Sequence, residues 1–189
     1  MRCSSRSVVL GLAFAVTAAG QAMAQNAKTP TDAFAVRGQR EARAITYGDW
    51  EKVCFSPGGA KPVCRTTIAG RFETGQIAVR AYVIEREGDS TARIQLLLPV
   101  GLYVPAGVKL TVDGGSAYRL PFTWCLTNAC IAAAAANPEL LREMDRGRKL
   151  AVEVVDTNLL AVTTSAPLDR FAAARAGAPI NTFEQTIDE

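Results

Sequence analysis

Residues 93–131 read RIQLLLPVGLYVPAGVKLTVDGGSAYRLPFTWCLTNACI. Within them Val108, Leu110 and Val112 alternate with Lys109 and Thr111. A period of two puts apolar side chains on one face and polar ones on the other, as a half-buried strand requires. Tyr118, Leu120, Phe122 and Trp124 alternate with Arg119, Pro121 and Thr123 in the same way. Asp113-Gly114-Gly115-Ser116 separates the two runs. Glycine reaches positive φ without steric cost, so a tight hairpin is predicted here. Pro121 has no backbone N–H and therefore belongs at a sheet edge or a bulge. Leu96-Leu97-Leu98 is apolar at both parities, which predicts a strand buried on both sides. Pro99, Gly101, Pro105 and Gly107 rule out one long helix.

The same short-strand pattern extends in both directions. Upstream, Tyr47-Gly48-Asp49-Trp50 leads into a strand at Glu51–Cys54, with Trp50 read as a packing residue of the core or its rim. Residues 56–62 are dense in turn formers, and Val63–Ile68 returns the chain. Gln76–Arg86 makes a long strand, and Gly88-Asp89-Ser90 turns it into Thr91–Leu98. Downstream, Ile131–Ala136 is a strand or the approach to a helix. Asn137-Pro138-Glu139 starts that helix: Asn caps, Pro suits the first helical position, and Glu complements the positive end. Gly147 stops it. Leu150–Val155 and Leu159–Thr164 form a second hairpin across Asp156-Thr157-Asn158. Ser165-Ala166-Pro167 opens a last short helix around Phe171, which Gly177 and Pro179 end. The expected fold is all-β: a β-sandwich or open barrel of about nine short strands with one or two short helices.

The ends of the chain set the compartment. Arg2 and Arg6 precede an apolar run from Val8 to Ala19, and Ala22-Met23-Ala24 supplies small residues before Gln25. This reads as a secretory signal peptide over residues 1–24; the run is shorter than the ~20 residues of a spanning helix. Cys3 leaves with it. Residues 25–44 read as a flexible leader, with a short amphipathic helix around Ala33–Arg40 as the alternative. Residues 45–178 form a single domain, and 179–189 a mobile tail. Losing Arg2 and Arg6 lowers the formal net charge from +3 to +1. No run of Lys and Arg is dense enough to indicate nucleic acid, and no mature segment is long enough to span a bilayer.

Four cysteines remain: Cys54, Cys64, Cys125 and Cys130. An even count in an exported chain reads as two disulfides. Three pairings are formally possible, and proximity favours Cys54–Cys64 and Cys125–Cys130, each bracketing a turn-like segment. Neither pair has C-x-x-C spacing, which argues against redox catalysis. The chain has no histidine, so Ser-His-Asp and Cys-His catalysis are excluded. The same lack, with no paired C-x-x-C, argues against zinc, and no alternating run of Asp and Asn suggests calcium. Nucleotide-binding glycine loops and a G-x-S-x-G elbow are missing. Asp49, Asp113 and Asp145 are nominal acid–base carboxylates, but Asp49 and Asp113 sit in turns, where Asp bonds backbone. The expectation is no catalysis, no metal and no cofactor. Arg142, Arg146, Arg148 and Lys149 cluster at a helix end. They read as a solvated face matched to the helix dipole, with an anion-binding patch as the weaker reading.

Several of these segments together resemble the invasion-associated locus B family. They are Gly48-Asp49-Trp50 with Cys54 downstream, Leu98-Pro99-Val100-Gly101-Leu102, Pro105-Ala106-Gly107-Val108, Val112-Asp113-Gly114-Gly115, and Pro121-Phe122 with Cys125 and Cys130. The similarity spans roughly Gly48 to Phe171. Ala129 stands where a glycine often precedes the last cysteine, and Arg170-Phe171 replaces a late Gly-Phe. The resemblance implies an exported protein of Gram-negative proteobacteria, with a role for some members in invading host cells. It implies no catalytic residue, and carries over the four cysteines as structural disulfides. The expected function is a non-enzymatic binding module, periplasmic, outer-membrane-associated or secreted. Its partner would be a protein or envelope component, or a host-cell surface. The alternative is a periplasmic envelope-maintenance or stress protein.

Overall fold

The computed structural model describes residues 35–42, 44–58 and 60–185. The expected signal peptide of residues 1–24, residues 25–34 of the expected leader and the last four residues lie outside these.

Thirteen strands form two sheets among the described residues. In chain order they are β1 (Gly38–Glu41), β2 (Ile45–Tyr47), β3 (Glu51–Pro57), β4 (Val63–Phe72), β5 (Ile77–Arg86) and β6 (Arg93–Leu98). After a 3-10 turn at Val104–Ala106 come β7 (Val108–Val112), β8 (Ala117–Leu120), β9 (Phe122–Cys125) and β10 (Cys130–Ala135). Helix α1 (Pro138–Arg146) precedes β11 (Lys149–Val155) and β12 (Leu160–Pro167). Helix α2 (Phe171–Ala176) precedes β13 (Asn181–Gln185). One sheet has the order β1-β12-β11-β7-β8, and the other β13-β3-β4-β5-β6-β10-β9, with β2 beside β4.

The expected hairpin is β7–β8, paired from Val108 opposite Leu120 to Thr111 opposite Ala117. Its turn puts Asp113 at φ 47° and Gly114 at φ 78°, and the Gly115 N–H donates to the Val112 carbonyl at 2.8 Å. Positive φ at both central positions gives the twist that antiparallel strands need, which is why Asp-Gly stands there. The run from Tyr118 to Trp124 is not one strand. Pro121 breaks it, and the chain leaves one sheet with β8 and joins the edge of the other with β9. A proline cannot donate to either ladder, so the crossing falls on it. A bulge follows, where Trp124 opposes Ile131 and Phe122 opposes Ala132.

Inward residues of both sheets build one core. Val79, Ala81 and Val83 of β5, Ile94 and Leu96 of β6, Leu110 of β7, and Leu150 and Val152 of β11 are all buried. Each of the Val, Leu and Ile side chains contributes roughly 1.5–3 kcal/mol of burial free energy, and Ala81 less. The helices close one end. Asn137 caps α1, its side chain accepting from the Glu139 N–H at 2.8 Å. Leu140, Leu141 and Met144 turn into the core. Phe171 of α2 is fully buried and meets Trp50 edge-on, ring centroids 4.7 Å apart. The Trp50 indole N–H donates to the Pro167 carbonyl at 2.7 Å.

Four departures from the sequence reading stand out. The leader is not free up to residue 44: Gly38–Glu41 adds in parallel to β12, and residues 35–40, the described part of the alternative helix, are not helical. The tail from 179 is not wholly mobile: Asn181–Gln185 adds in parallel to β3. Both segments are mostly polar and held mainly by backbone pairing, with Phe183 also stacked on Phe55, so they carry no apolar period to read. Finally, β12 runs on through Pro167, and the last helix starts at Phe171 instead of Ser165. Leu97, expected to be buried on both sides, is only half-buried, because its face of the sheet is open.

Candidate binding surfaces

The cysteines pair as Cys54–Cys64 and Cys125–Cys130. Each bond joins residues directly opposite on neighbouring strands, β3 with β4 and β9 with β10. The second closes a loop in which the Leu126 N–H donates to the Ala129 carbonyl at 2.7 Å. These four sulfurs are oxidised and hold strands; they offer no thiolate.

The three nominated carboxylates serve separate structural contacts. Asp113 accepts from the backbone N–H groups of Arg148 and Lys149 at 2.9 and 3.0 Å, fixing the turn from α1 into β11. Asp145 binds the Arg175 guanidinium at 2.9 Å, and Glu85 binds the same group at 2.8 Å. Asp49 lies 3.9 Å from Arg170 on the surface.

Arg142, Arg146, Arg148 and Lys149 are exposed, as expected. Arg142 pairs with Glu139 one turn earlier. A shallow depression of about 380 Å³ joins Arg142 and Arg146 to Asp113, Glu139 and Glu143. The cluster is therefore of mixed charge, not a dedicated cation surface.

Two features were not read from the sequence. The first is a cleft of about 290 Å³ between the sheets, at the end away from α1. Ile45, Phe72, Val79, Leu98, Val154 and Val162 line it, with Arg40 and Asp156 at one side. Arg40 and Asp156 are 3.5 Å apart. Asp156 is 8% exposed, and its Oδ1 accepts from the Asn158 and Leu160 N–H groups at 2.9 and 3.0 Å. The Leu160 N–H holds this carboxyl below its ordinary 3.8; Asn158 and Arg40 add to the effect and outweigh burial, which pushes the other way. Asp156-Thr157-Asn158 had been legible as a turn, but its partner Arg40 lay in the presumed leader.

The second is the outer face of the larger sheet. On β4, β5 and β6 the buried residues alternate with Arg65, Arg71, Arg80, Arg86 and Arg93. Arg65, Ile84 and Arg93 lie in one row across the three strands, and Ala69, Arg80 and Leu97 in another. Tyr82, flanked by Thr67 and Gln95, forms the row between. No carboxylate occupies an outer position on these strands; Glu85 takes the inner parity, where it meets Arg175. Arg86 reaches Asp89 at 3.8 Å. Among the described residues Arg65, Arg71, Arg80 and Arg93 form no ion pair. Arg65 instead lies over the Phe55 ring, 4.9 Å from its centroid, and Phe55 stacks on Phe183. Trp124, opposite Ile131 and Leu97 in the Arg80 row, is 67% exposed. Strand parity carried this signal, but the arginines are scattered over 65–93 and meet only through register.

A sequence model of the invasion associated locus B (IalB) protein family matches residues 50–179. The chain belongs to the IalB family. Invasion protein B homologs of Brucella abortus, from strain 2308 and from biovar 1 strain 9-941, are each 26% identical to it over 143 residues. Those alignments cover 76% of this chain and 78% of each relative. The crystal structure of invasion associated protein B from Bartonella henselae matches with a TM-score of 0.61 at 22% identity. That match covers 69% of this chain and 90% of the other, and establishes a common fold. The IalB segment of this chain holds both disulfides, both helices and all the outer-face arginines, while β1 and β13 lie outside it.

Proposed function

We propose that this IalB family member is an exported, non-enzymatic binding module that works in the periplasm or at the cell surface and contributes to host-cell interaction. One observation carries the reading: the outer face of the eight-stranded sheet is left open, and it concentrates an exposed tryptophan and arginines without an ion pair among the described residues. Unpaired like charge on one face repels itself and attracts an anionic partner. The signal-peptide pattern of residues 1–24 and the two disulfides support export. The absence of histidine, the oxidised cysteines and the structural engagement of Asp49, Asp113 and Asp145 support a role without catalysis. Among the described residues no helix is long and apolar enough to cross a membrane.

Protease shaving of intact producing cells, with an assay of the culture medium, tests this reading. Protein that is cleaved or released supports direct contact with a host. Protein protected until the outer membrane is opened removes direct adhesion.

A second reading, a periplasmic protein that holds envelope components, draws on the sheet edges. Both β1 and β13 are extended segments added in parallel to an existing edge, so these sheets accept strand addition. A deletion strain that is envelope-sensitive yet adheres normally to host cells would favour it.

A further inference from the structure

The open face of the eight-stranded sheet has a charge pattern that selects a class of partner. The outer positions of β4, β5 and β6 carry five arginines and no carboxylate, whereas the whole chain is nearly balanced, with 21 basic and 18 acidic residues. Four of the five form no ion pair among the described residues. The acidic groups bordering these strands are Asp89, which reaches Arg86, Glu51, directly opposite Thr67 and so at the β3 end of the Tyr82 row, and Asp49, which faces Arg170; Glu51 and Asp49 line a shallow trough with Arg71, Arg80 and Tyr82.

Spacing matters as much as sign. Arg65 and Arg93 are two strands apart in one row, about 9–10 Å between backbones. Arg80 lies four residues along β5 from that row, about 13 Å away. No single small anion reaches three guanidinium groups so placed. A chain with anionic groups repeated along it does. Guanidinium groups present paired donors that match the oxygens of sulfate and carboxylate groups. Tyr82, Gln95 and Thr67 lie between the arginine rows and suit a sugar ring, with a flat apolar face and polar rim.

On this basis we infer that the outer face of β4, β5 and β6 binds a linear anionic polysaccharide, with Arg65, Arg80 and Arg93 as its main contacts and Arg71 at the margin. The inference rests on the binding-module reading and names its partner class. A planar membrane fits less well, because each strand step turns the sheet by roughly 20–25°, so the arginine-bearing strands do not lie in one plane. Nucleic acid fits less well too. Single-strand readers interleave cations with several free rings; here only the half-buried Tyr82 lies between the arginine rows, Phe55 is taken up by Arg65 and Phe183, and the exposed Trp124 stands three strands beyond Arg80.

The test uses the mature chain, with a size-defined heparin oligosaccharide as probe, in titrations at several salt concentrations. Three proteins are compared: wild type, the triple variant Arg65→Ala/Arg80→Ala/Arg93→Ala, and the control Arg142→Ala/Arg146→Ala/Arg148→Ala. Thermal melts establish that all three are folded. The expected result is saturable binding by wild type and control, and at least about tenfold weaker binding by the triple variant. The slope of log Kd against log salt should fall by about two to three, as counterion release from a linear polyanion requires when three cations are removed. Three results overturn the inference: no binding by wild type, equal loss in the control, or tighter binding to a charge-matched single-stranded oligonucleotide or to phosphatidylserine vesicles. If heparin fails while the protein still binds intact host cells, the glycan assignment falls and the binding-module reading stands. If both fail, both fall.

Discussion

Trp50 joins three parts of the fold: the start of β3, the end of β12 through its bond to Pro167, and α2 through Phe171. It is 5% exposed, so Trp50→Ala removes a large buried ring and strands a carbonyl. Chemical denaturation should show a loss of about 3–5 kcal/mol. Trp50→Phe keeps most of the packing but leaves the Pro167 carbonyl unpaired, and should cost roughly 1–3 kcal/mol. Asp156 acts by charge instead. Its folded pKa lies below the ordinary 3.8, so its contacts stabilise the fold fully above that value and are lost as pH falls through the lower, folded value. Asp156→Asn should therefore lower the melting temperature at neutral pH, and the gap from wild type should close as pH falls below 3.8. A gap that stays constant down to acid pH would assign the effect to shape alone.

At the scale of elements, the disulfides set the order in which strands come loose. Cys125–Cys130 ties the edge strand β9 to β10 and closes a loop of five residues' separation, against ten for Cys54–Cys64. The chain-entropy model gives about 2 kcal/mol for the shorter loop and about 3 kcal/mol for the longer. The double variant Cys125→Ser/Cys130→Ser should thus lose about 2 kcal/mol in urea denaturation, and amide exchange should speed up in β9 before β3. The features bound to local chemistry were legible in the sequence: the Asp-Gly turn, the Asn-Pro-Glu helix start and both cysteine pairs. Pro121 was legible as a disruption, but whether it bulged one strand or carried the chain to a second sheet depended on which partner lay beyond it. The strands β1 and β13 left no trace. GQRE and NTFEQ have no apolar alternation, and only a distant edge in parallel register makes them strands.

For the whole molecule, two sheets share their inner faces and differ in what they do outside. The larger sheet keeps its outer side open, and its arginines add nothing to the core. That separation explains why the mixed cluster at the end of α1, conspicuous as a run in the sequence, is the weaker binding candidate. Arg142 is paired with Glu139, and Asp113 holds the backbone beyond. Arg65, Arg80 and Arg93 belong to different strands and look like ordinary solvent-side residues until the register aligns them. Arg65 and Arg93 are exposed and Arg80 half-buried, and apart from the contact of Arg65 with Phe55 they hold nothing in place, so their removal should change melting temperature little, by about 0.5 kcal/mol per site.

The central claim is that binding resides on this face and is separable from the fold. Its most direct measurement is the binding of labelled mature protein to intact mammalian cells, comparing wild type with Arg65→Ala/Arg80→Ala/Arg93→Ala. The account predicts that the variant melts like wild type but loses most of its cell binding. A variant that binds cells as wild type does would place the function elsewhere on the molecule.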